Sequence, residues 1–536
     1  MRSPSTEPPA SAAADSRGVG NRRWWALGAL TLAVLAVGLD GTILSVALPT
    51  LARALHGSES DLQWFSSSYL LVLAAAMLPA GLLGDRYGRK KVLLSSLALF
   101  AAGSAACAAA PSSAAFIAAR VLLGFAGAGI IVMSLSALTV LFTPQERPRA
   151  VGIWAAANFL ALPIGPVLGG WLLTHYWWGW VFLINVPVTL IGLIAAFALL
   201  PESRAERRPG FDAGGIAASI AGLVALIYGL IEAGQHGWGD AVALASIAGG
   251  VAILVAFFAW ERRLGRRPGG QPLVDLALFR SRSYTWGVIL AAVAMLALIG
   301  VLFTLPQYFQ GVLGTNAMGS GLRLLPLIGA LVLGAVPAAR IARLLGAKIV
   351  VALGFALLAA GLLVGSTTGE GSSGVFVAAW MALAGAGMGL ATATTTSAAL
   401  SELSEQQGGV GSAVLQALNK TGGPLGTAIL GSVLSSTYLA HLALSGLPAA
   451  AATAARQSIF SAVAVAQKLH SPALLASAHT AFVSGMDAAL LVSGAVALAG
   501  VALTLAFLPG SSAVSGAEGP ANLPTVALQH SPLATD

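Results

Sequence analysis

Gly81-Leu82-Leu83-Gly84-Asp85-Arg86-Tyr87-Gly88-Arg89-Lys90-Lys91 joins two long apolar runs, 63–84 and 91–110, through a short basic turn. A helix needs about 20 residues to cross the hydrocarbon core of a bilayer, and each run is long enough. Gly81, Gly84 and Gly88 permit a tight turn and close helix approach. Asp85 can pair with a nearby arginine or sit at the N-terminus of a neighbouring helix. The stretch therefore reads as a hairpin turn between two antiparallel membrane helices, anchored by its cations.

The rest of the chain repeats this pattern. Of 536 residues, 57% are hydrophobic and 9% are charged, whereas soluble domains carry about 25% charged residues. No segment alternates as barrel strands do. Fourteen candidate spans follow: 25–48, 63–84, 91–110, 114–141, 149–173, 179–200, 212–233, 241–260, 284–306, 320–340, 347–366, 374–400, 409–436 and 482–508. Segments 1–23 and 509–536 are expected to be disordered, and 437–481 to form a long external loop with a helix lying on the membrane surface. Six spans in 24–200 and six in 284–508 suggest two six-helix bundles, with 201–283 supplying a linker and two accessory spans.

Cations set the expected topology. With the N-terminus in the cytoplasm, 22 Lys and Arg fall on inside segments and four (Arg53, Arg323, Arg456 and Lys468) on outside ones. Such a bias orients the chain with both termini in the cytoplasm. It also explains the net charge of +8 without nucleic acid. Cys107 is the lone cysteine and can form no internal disulfide.

The eleven-residue turn resembles the signature loop of the major facilitator superfamily and matches it at every motif position. That resemblance implies a cytoplasmic gate latch involving Gly81, Asp85, Arg86, Gly88 and Arg89. Leu39-Asp40-Gly41-Thr42-Ile43-Leu44-Ser45-Val46-Ala47-Leu48-Pro49 looks like the first-span motif of the fourteen-span drug/proton antiporters of that superfamily, the quaternary-ammonium exporters among them. Ser45 stands where the family often has Asn. Acids inside spans are costly and usually face a cavity or a proton path, so Asp40, unpaired in its own segment, is the leading protonation or cation-coupling site. The competing reading is a polar residue that packs helices or sits near the outer interface.

Arg120-Val121-Leu122-Leu123-Gly124 resembles the family's proton-relay motif, with Leu123 in place of Gln and Ala126 in place of Gly. Arg120 either faces the cavity and governs protonation of an acid, or snorkels to the interface. Ala161-Leu162-Pro163-Ile164-Gly165-Pro166-Val167-Leu168-Gly169-Gly170 resembles the antiporter motif of exporters, with Ala161 where the pattern begins with Gly. Ala161, Gly165 and Gly169 share a helix face on which another helix can approach closely. Leu62-Gln63-Trp64 and Trp177-Trp178-Gly179-Trp180 with Asn185 match the same subgroup. Gln63, Asn185 and the deep Lys420 are candidates for the cavity lining.

The sequence holds no Walker-type loop, no Cys/His metal pattern and no hydrolase motif. It implies no cofactor, no metal and no enzyme. The expectation is an all-α major facilitator fold acting as a monomer in the cytoplasmic membrane, exchanging protons for hydrophobic or cationic drug-like compounds. Alternatives are a dedicated exporter of a lipid or secondary metabolite, and a proton-coupled importer.

Overall fold

The computed structural model describes residues 10–143, 146–203, 212–267, 272, 274, 276–401 and 408–509. Helices α1 (Ala10–Ala54), α2 (Glu59–Tyr87), α3 (Arg89–Ala108), α4 (Ser113–Leu141), α5 (Arg147–His175), α6 (Trp180–Leu183) and α7 (Asn185–Leu199) form a first bundle. Helices α8 (Ala213–His236) and α9 (Ala241–Gly265) pair as a hairpin whose α8 rests on both bundles. The second bundle comprises α10 (Arg282–Gln307), α11 (Ala317–Arg323), α12 (Leu325–Leu345), α13 (Ala347–Gly365), α14 (Gly374–Ser401), α15 (Gly408–His441) and, after the short α16 (Ala449–Gln457) and α17 (Ile459–Lys468), α18 (Pro472–Phe507).

The loops supply the caps that start these helices. The side chains of Ser58, Ser112, Asp212, Asp240, Ser281 and Ser471 each accept a hydrogen bond from a backbone N–H of the first turn. Such caps satisfy donors that an apolar helix cannot. Outward-facing side chains are apolar: Leu333 is 74% and Val336 76% exposed. A water-facing surface avoids large contiguous patches of this kind, whereas lipid accepts them.

Among the described residues, twelve helices are long and apolar enough to cross a membrane. The other two expected spans, 149–173 and 409–436, lie in α5 and α15, some of whose side chains are not described. The fourteen-span count is thus approximately supported.

Several details differ from the sequence expectation. Helix α1 runs back to Ala10, inside the segment 1–23 expected to be disordered, and its Ala-rich start favours helix. The C-terminal tail 510–536 lies outside the described residues. The expected span 320–340 is two helices broken at Leu324, because Pro326 has no N–H to donate to the Leu322 carbonyl one turn back.

Segment 437–481 is not a loop with a helix on lipid. Helix α15 continues to His441 and α18 begins at Pro472. Ile459, Phe460, Ala462 and Ala466 of α17 are buried, and Ile459 and Phe460 crowd Gly311. The apolar face of α17 therefore docks on protein. We call the end covered by α16 and α17 the cap end, and the end holding Gly81–Lys91 the motif end.

Candidate functional site

Asp40 is not unpaired. Its carboxylate meets Nη1 of Arg120 at 2.5 Å and accepts from Nδ2 of Asn185 at 3.2 Å. Arg120 also donates through Nε to the Phe65 carbonyl at 3.2 Å, and its guanidinium lies 4.3 Å from the centroid of the Tyr69 ring. The Tyr69 hydroxyl donates to the Val37 carbonyl at 2.9 Å. Side chains from α1, α2, α4 and α7 thus converge on one charge pair.

Local sequence explains the convergence. The sixth span breaks at Ile184, which puts Asn185 in the first turn of α7. Arg120 is 0% and Asp40 1% exposed, so snorkelling does not describe Arg120. Each charge is expensive to bury alone, and removing one partner of such a pair typically costs about 3–5 kcal/mol. The two charges therefore offset each other's burial, and neither is tolerated there alone.

Asn185 is the one cavity candidate that joins Asp40. Replacing it with Ala removes a hydrogen bond to a charged group, worth about 1.5–3 kcal/mol. We expect the proton-driven rate of Asn185→Ala to fall by about tenfold, measured as dye flux under an imposed pH gradient. Gln63 lies elsewhere, packed on Gly431 of α15, with both amide atoms buried and unpartnered among the described residues. Lys420 has no ion-pair partner among the described residues and shares a helix face with Gly423 and Thr427, which meet Leu70 and Ser66 of α2.

The signature turn separates α2 from α3. Asp85 accepts from Arg89 Nε at 3.1 Å and Nη2 at 2.9 Å. Gly88 has φ 113°, and a Cβ there would stand 2.5 Å from Oε1 of Glu202. That oxygen accepts from the Lys90 amide at 3.2 Å, while the Arg89 amide donates to the Ser203 carbonyl at 2.8 Å. Gly88→Ala meets both a left-handed backbone and this clash. It is expected to lower thermal stability by about 1–2 kcal/mol, read as a fall in unfolding temperature. Glu202 was not singled out in the sequence, because a lone acid after a span carries no pattern.

The antiporter-like stretch has two faces. A Cβ on Gly165 would press on Thr42, and one on Gly169 would lie 2.9 Å from Cγ2 of Ile43, so these glycines seat α1 against α5 within the first bundle. Gly170 and Pro166 face the second bundle. A Cβ on Gly170 would lie 2.7 Å from the Ala317 carbonyl, and Gly321 abuts the Pro166 carbonyl.

The bundles are latched in the cap half. Besides α5 against α11, Gln310 Nε2 donates to the Val46 carbonyl at 3.0 Å, and Gln307 Nε2 donates to Glu59 Oε1 at 3.3 Å. The Arg53 guanidinium stands 5.4 Å from the Phe460 ring centroid. Toward the motif end, the link is apolar, through Leu78 and Leu82 of α2 against the cluster that holds Leu415 of α15. Glu59 reads in sequence as an ordinary acid at a helix start; only packing shows that it is buried.

Two helical bundles meeting across a seam, one of them enclosing an acid–arginine pair, define a membrane carrier. The chain belongs to the Major Facilitator Superfamily, whose family model matches residues 30–427. It is 35% identical over 512 residues to the tetracenomycin C resistance and export protein of Streptomyces glaucescens, covering 93% of this chain and 94% of that one. It is 32% identical to the multidrug efflux pump LfrA of Mycolicibacterium smegmatis, covering 90% and 96% of the two chains. Identity to the methyl viologen resistance protein SmvA of Salmonella typhimurium is 30%, over 89% and 96%.

Among solved structures, the fold is similar to a bacterial homologue of the human lysosomal transporter Spinster, inward-facing and unoccupied. The TM-score is 0.63 at 16% identity, covering 90% of this chain and 98% of that one. It is also similar to a D-xylose–proton symporter, with TM-score 0.61 at 13% identity, over 91% and 99%.

Proposed function

We propose that this protein is a proton-coupled exporter of hydrophobic, drug-like compounds in the cytoplasmic membrane. The observation that carries the reading is the sealed Asp40–Arg120–Asn185 cluster inside the first bundle. A proton arriving at Asp40 removes the charge that holds Arg120, and so changes the packing of α1, α2, α4 and α7. Coupling then needs only that substrate and proton favour opposite openings of the two bundles. The sequence relatives named for resistance, export and multidrug efflux support the outward direction and a broad substrate range.

The cation bias of the loops supports placing the motif end and both termini inside the cell. On that orientation the latched cap end makes this an inward-facing arrangement, the state in which a cytoplasmic compound enters. Asp85, Arg86 and Arg89 would then latch the motif end when the cap end opens. Gly81 and Gly88 would shape the turn, and Gln63, Asn185 and Lys420 would contribute polar groups along the route. The protein works as a monomer in this scheme, since each chain holds both bundles.

The test is reconstitution into vesicles with an imposed pH gradient and a panel of cationic, neutral and anionic dyes. Lys420, a cation without an ion-pair partner among the described residues, is the reason to include anions. Dye movement opposite to the proton gradient is expected. Dye movement with the gradient would make the protein an importer, and flux that ignores the gradient would end the coupling proposal.

A further inference from the structure

Glu59 is the first residue of α2, yet the helix does not need it as a cap. Ser58 and Asp61 already cap each other: the Asp61 amide donates to Ser58 Oγ at 3.2 Å, and the Ser58 amide donates to Asp61 Oδ2 at 2.9 Å. The Glu59 side chain turns the other way, across the seam to α10. It is 4% exposed. Its one hydrogen-bond partner among the described residues is Nε2 of Gln307, at 3.3 Å. Oε1 of that same amide is buried and has no partner among the described residues.

Those two facts fit together. A carboxylate can only accept, so it leaves Gln307 Oε1 unsatisfied. A carboxylic acid can also donate, and so supplies the hydrogen that the amide oxygen lacks. Magnitudes point the same way. The N-terminus of α2 favours an anion only weakly. Holding a buried carboxylate against a single neutral amide costs far more than that.

Among the described residues, no cation offsets that cost. Arg53 of α1 lies over the Phe460 ring, and His56, Arg456 of α16 and Lys468 of α17 are exposed and form no ion pair with Glu59. From α15, Tyr438 is close enough to sense a charge on Glu59, but its hydroxyl donates to the Ala455 carbonyl. Asp61, on the same helix, is engaged with Ser58.

We propose that Glu59 is a proton-operated latch of the cap-end gate, closed when the acid is paired with Gln307 and released when it ionises. This rests on the reading that the two bundles alternate between openings. Closing takes one proton from the cap side, and opening returns it to the same side. Glu59 therefore sets how readily the gate opens and leaves the number of protons exchanged per substrate unchanged. It is a positioning residue, distinct in role from Asp40.

The test uses the full chain in vesicles, with Cys107→Ala removing the only native thiol and Val46→Cys reporting gate opening to a membrane-impermeant maleimide on the cap side. The reporter thiol's own ionisation affects every variant alike, so the quantity read is the labelling rate relative to Glu59→Gln. That ratio should rise with cap-side pH, by up to about tenfold per unit. Glu59→Asp should retain the rise. If Glu59→Gln does not fold, Gln307→Leu serves instead and should label faster than the unsubstituted gate at acid pH. A pH-independent ratio, or unchanged labelling in Gln307→Leu, overturns the latch. Dye flux in the same vesicles is scored separately: its absence sinks the transport reading, while the labelling ratio still decides on Glu59.

Discussion

Asp40→Asn is expected to abolish proton-driven accumulation while leaving exchange of dye for dye across the membrane. One proton moving through 100 mV supplies about 2.3 kcal/mol, enough for a substrate gradient of about fiftyfold. Without a titrating group at position 40 that gradient should collapse to equality. The substitution has a second consequence, because Arg120 is buried and would lose its counter-charge. The protein should lose about 3–5 kcal/mol of stability.

Adding Arg120→Gln to Asp40→Asn removes the stranded charge. The double variant should regain most of the lost stability, read from the unfolding temperature in detergent, yet remain uncoupled. Recovery of both properties would mean that the pair is a packing device. Persistence of the stability loss in the double variant would mean that the charge imbalance was not its cause.

The second large effect concerns the seam between α5 and α11. Gly170→Leu and Gly321→Leu each push a side chain into backbone of the opposite bundle: the Ala317 carbonyl in one case and the Pro166 carbonyl in the other. Side chains can rotate away from such a clash, but backbone cannot. Overpacking costs about 1–3 kcal/mol even where neighbours adjust, which shifts a two-state balance by on the order of a hundredfold at the upper end. Each bundle keeps its own core, so both variants should be produced and remain folded. Their cap ends should stay open and transport should fall to background.

Gly389 gives the contrast. It abuts the Leu331 carbonyl within the second bundle, between α14 and α12. Gly389→Leu should therefore reduce folded yield, whereas the seam variants reduce turnover. Size-exclusion yield and dye flux, measured on the same three preparations, separate the two outcomes.

Much of the architecture is legible in the sequence because membrane spans are declared by length and apolarity alone. What periodicity does not reveal is where a polar residue in an apolar helix finds its partner. Asp40 and Arg120 stand 80 residues apart and were separate features in the sequence; only the packing of α1 against α4 makes them one. The break at Ile184 that brings in Asn185 was hidden inside a continuous apolar run.

Segment 437–481 is ambiguous in sequence for a related reason. An Ala-rich stretch with scattered cations carries the same pattern whether its apolar face meets lipid or protein. Phe460 on Gly311 and beneath Arg53 decides for protein. Glu59 escaped notice because an acid in a first helical turn is ordinary, and its burial against α10 is a tertiary fact.

Proton release on substrate binding tests the role of Asp40 most directly. Purified protein in weakly buffered solution, mixed with a transported dye, should acidify the medium, read with a pH indicator. In a Glu59→Gln background, where the cap-end latch contributes no proton, Asp40→Asn should release none at the same dye occupancy. Equal release from Asp40→Asn and the unsubstituted protein would contradict the claim that this carboxylate carries the exchanged proton.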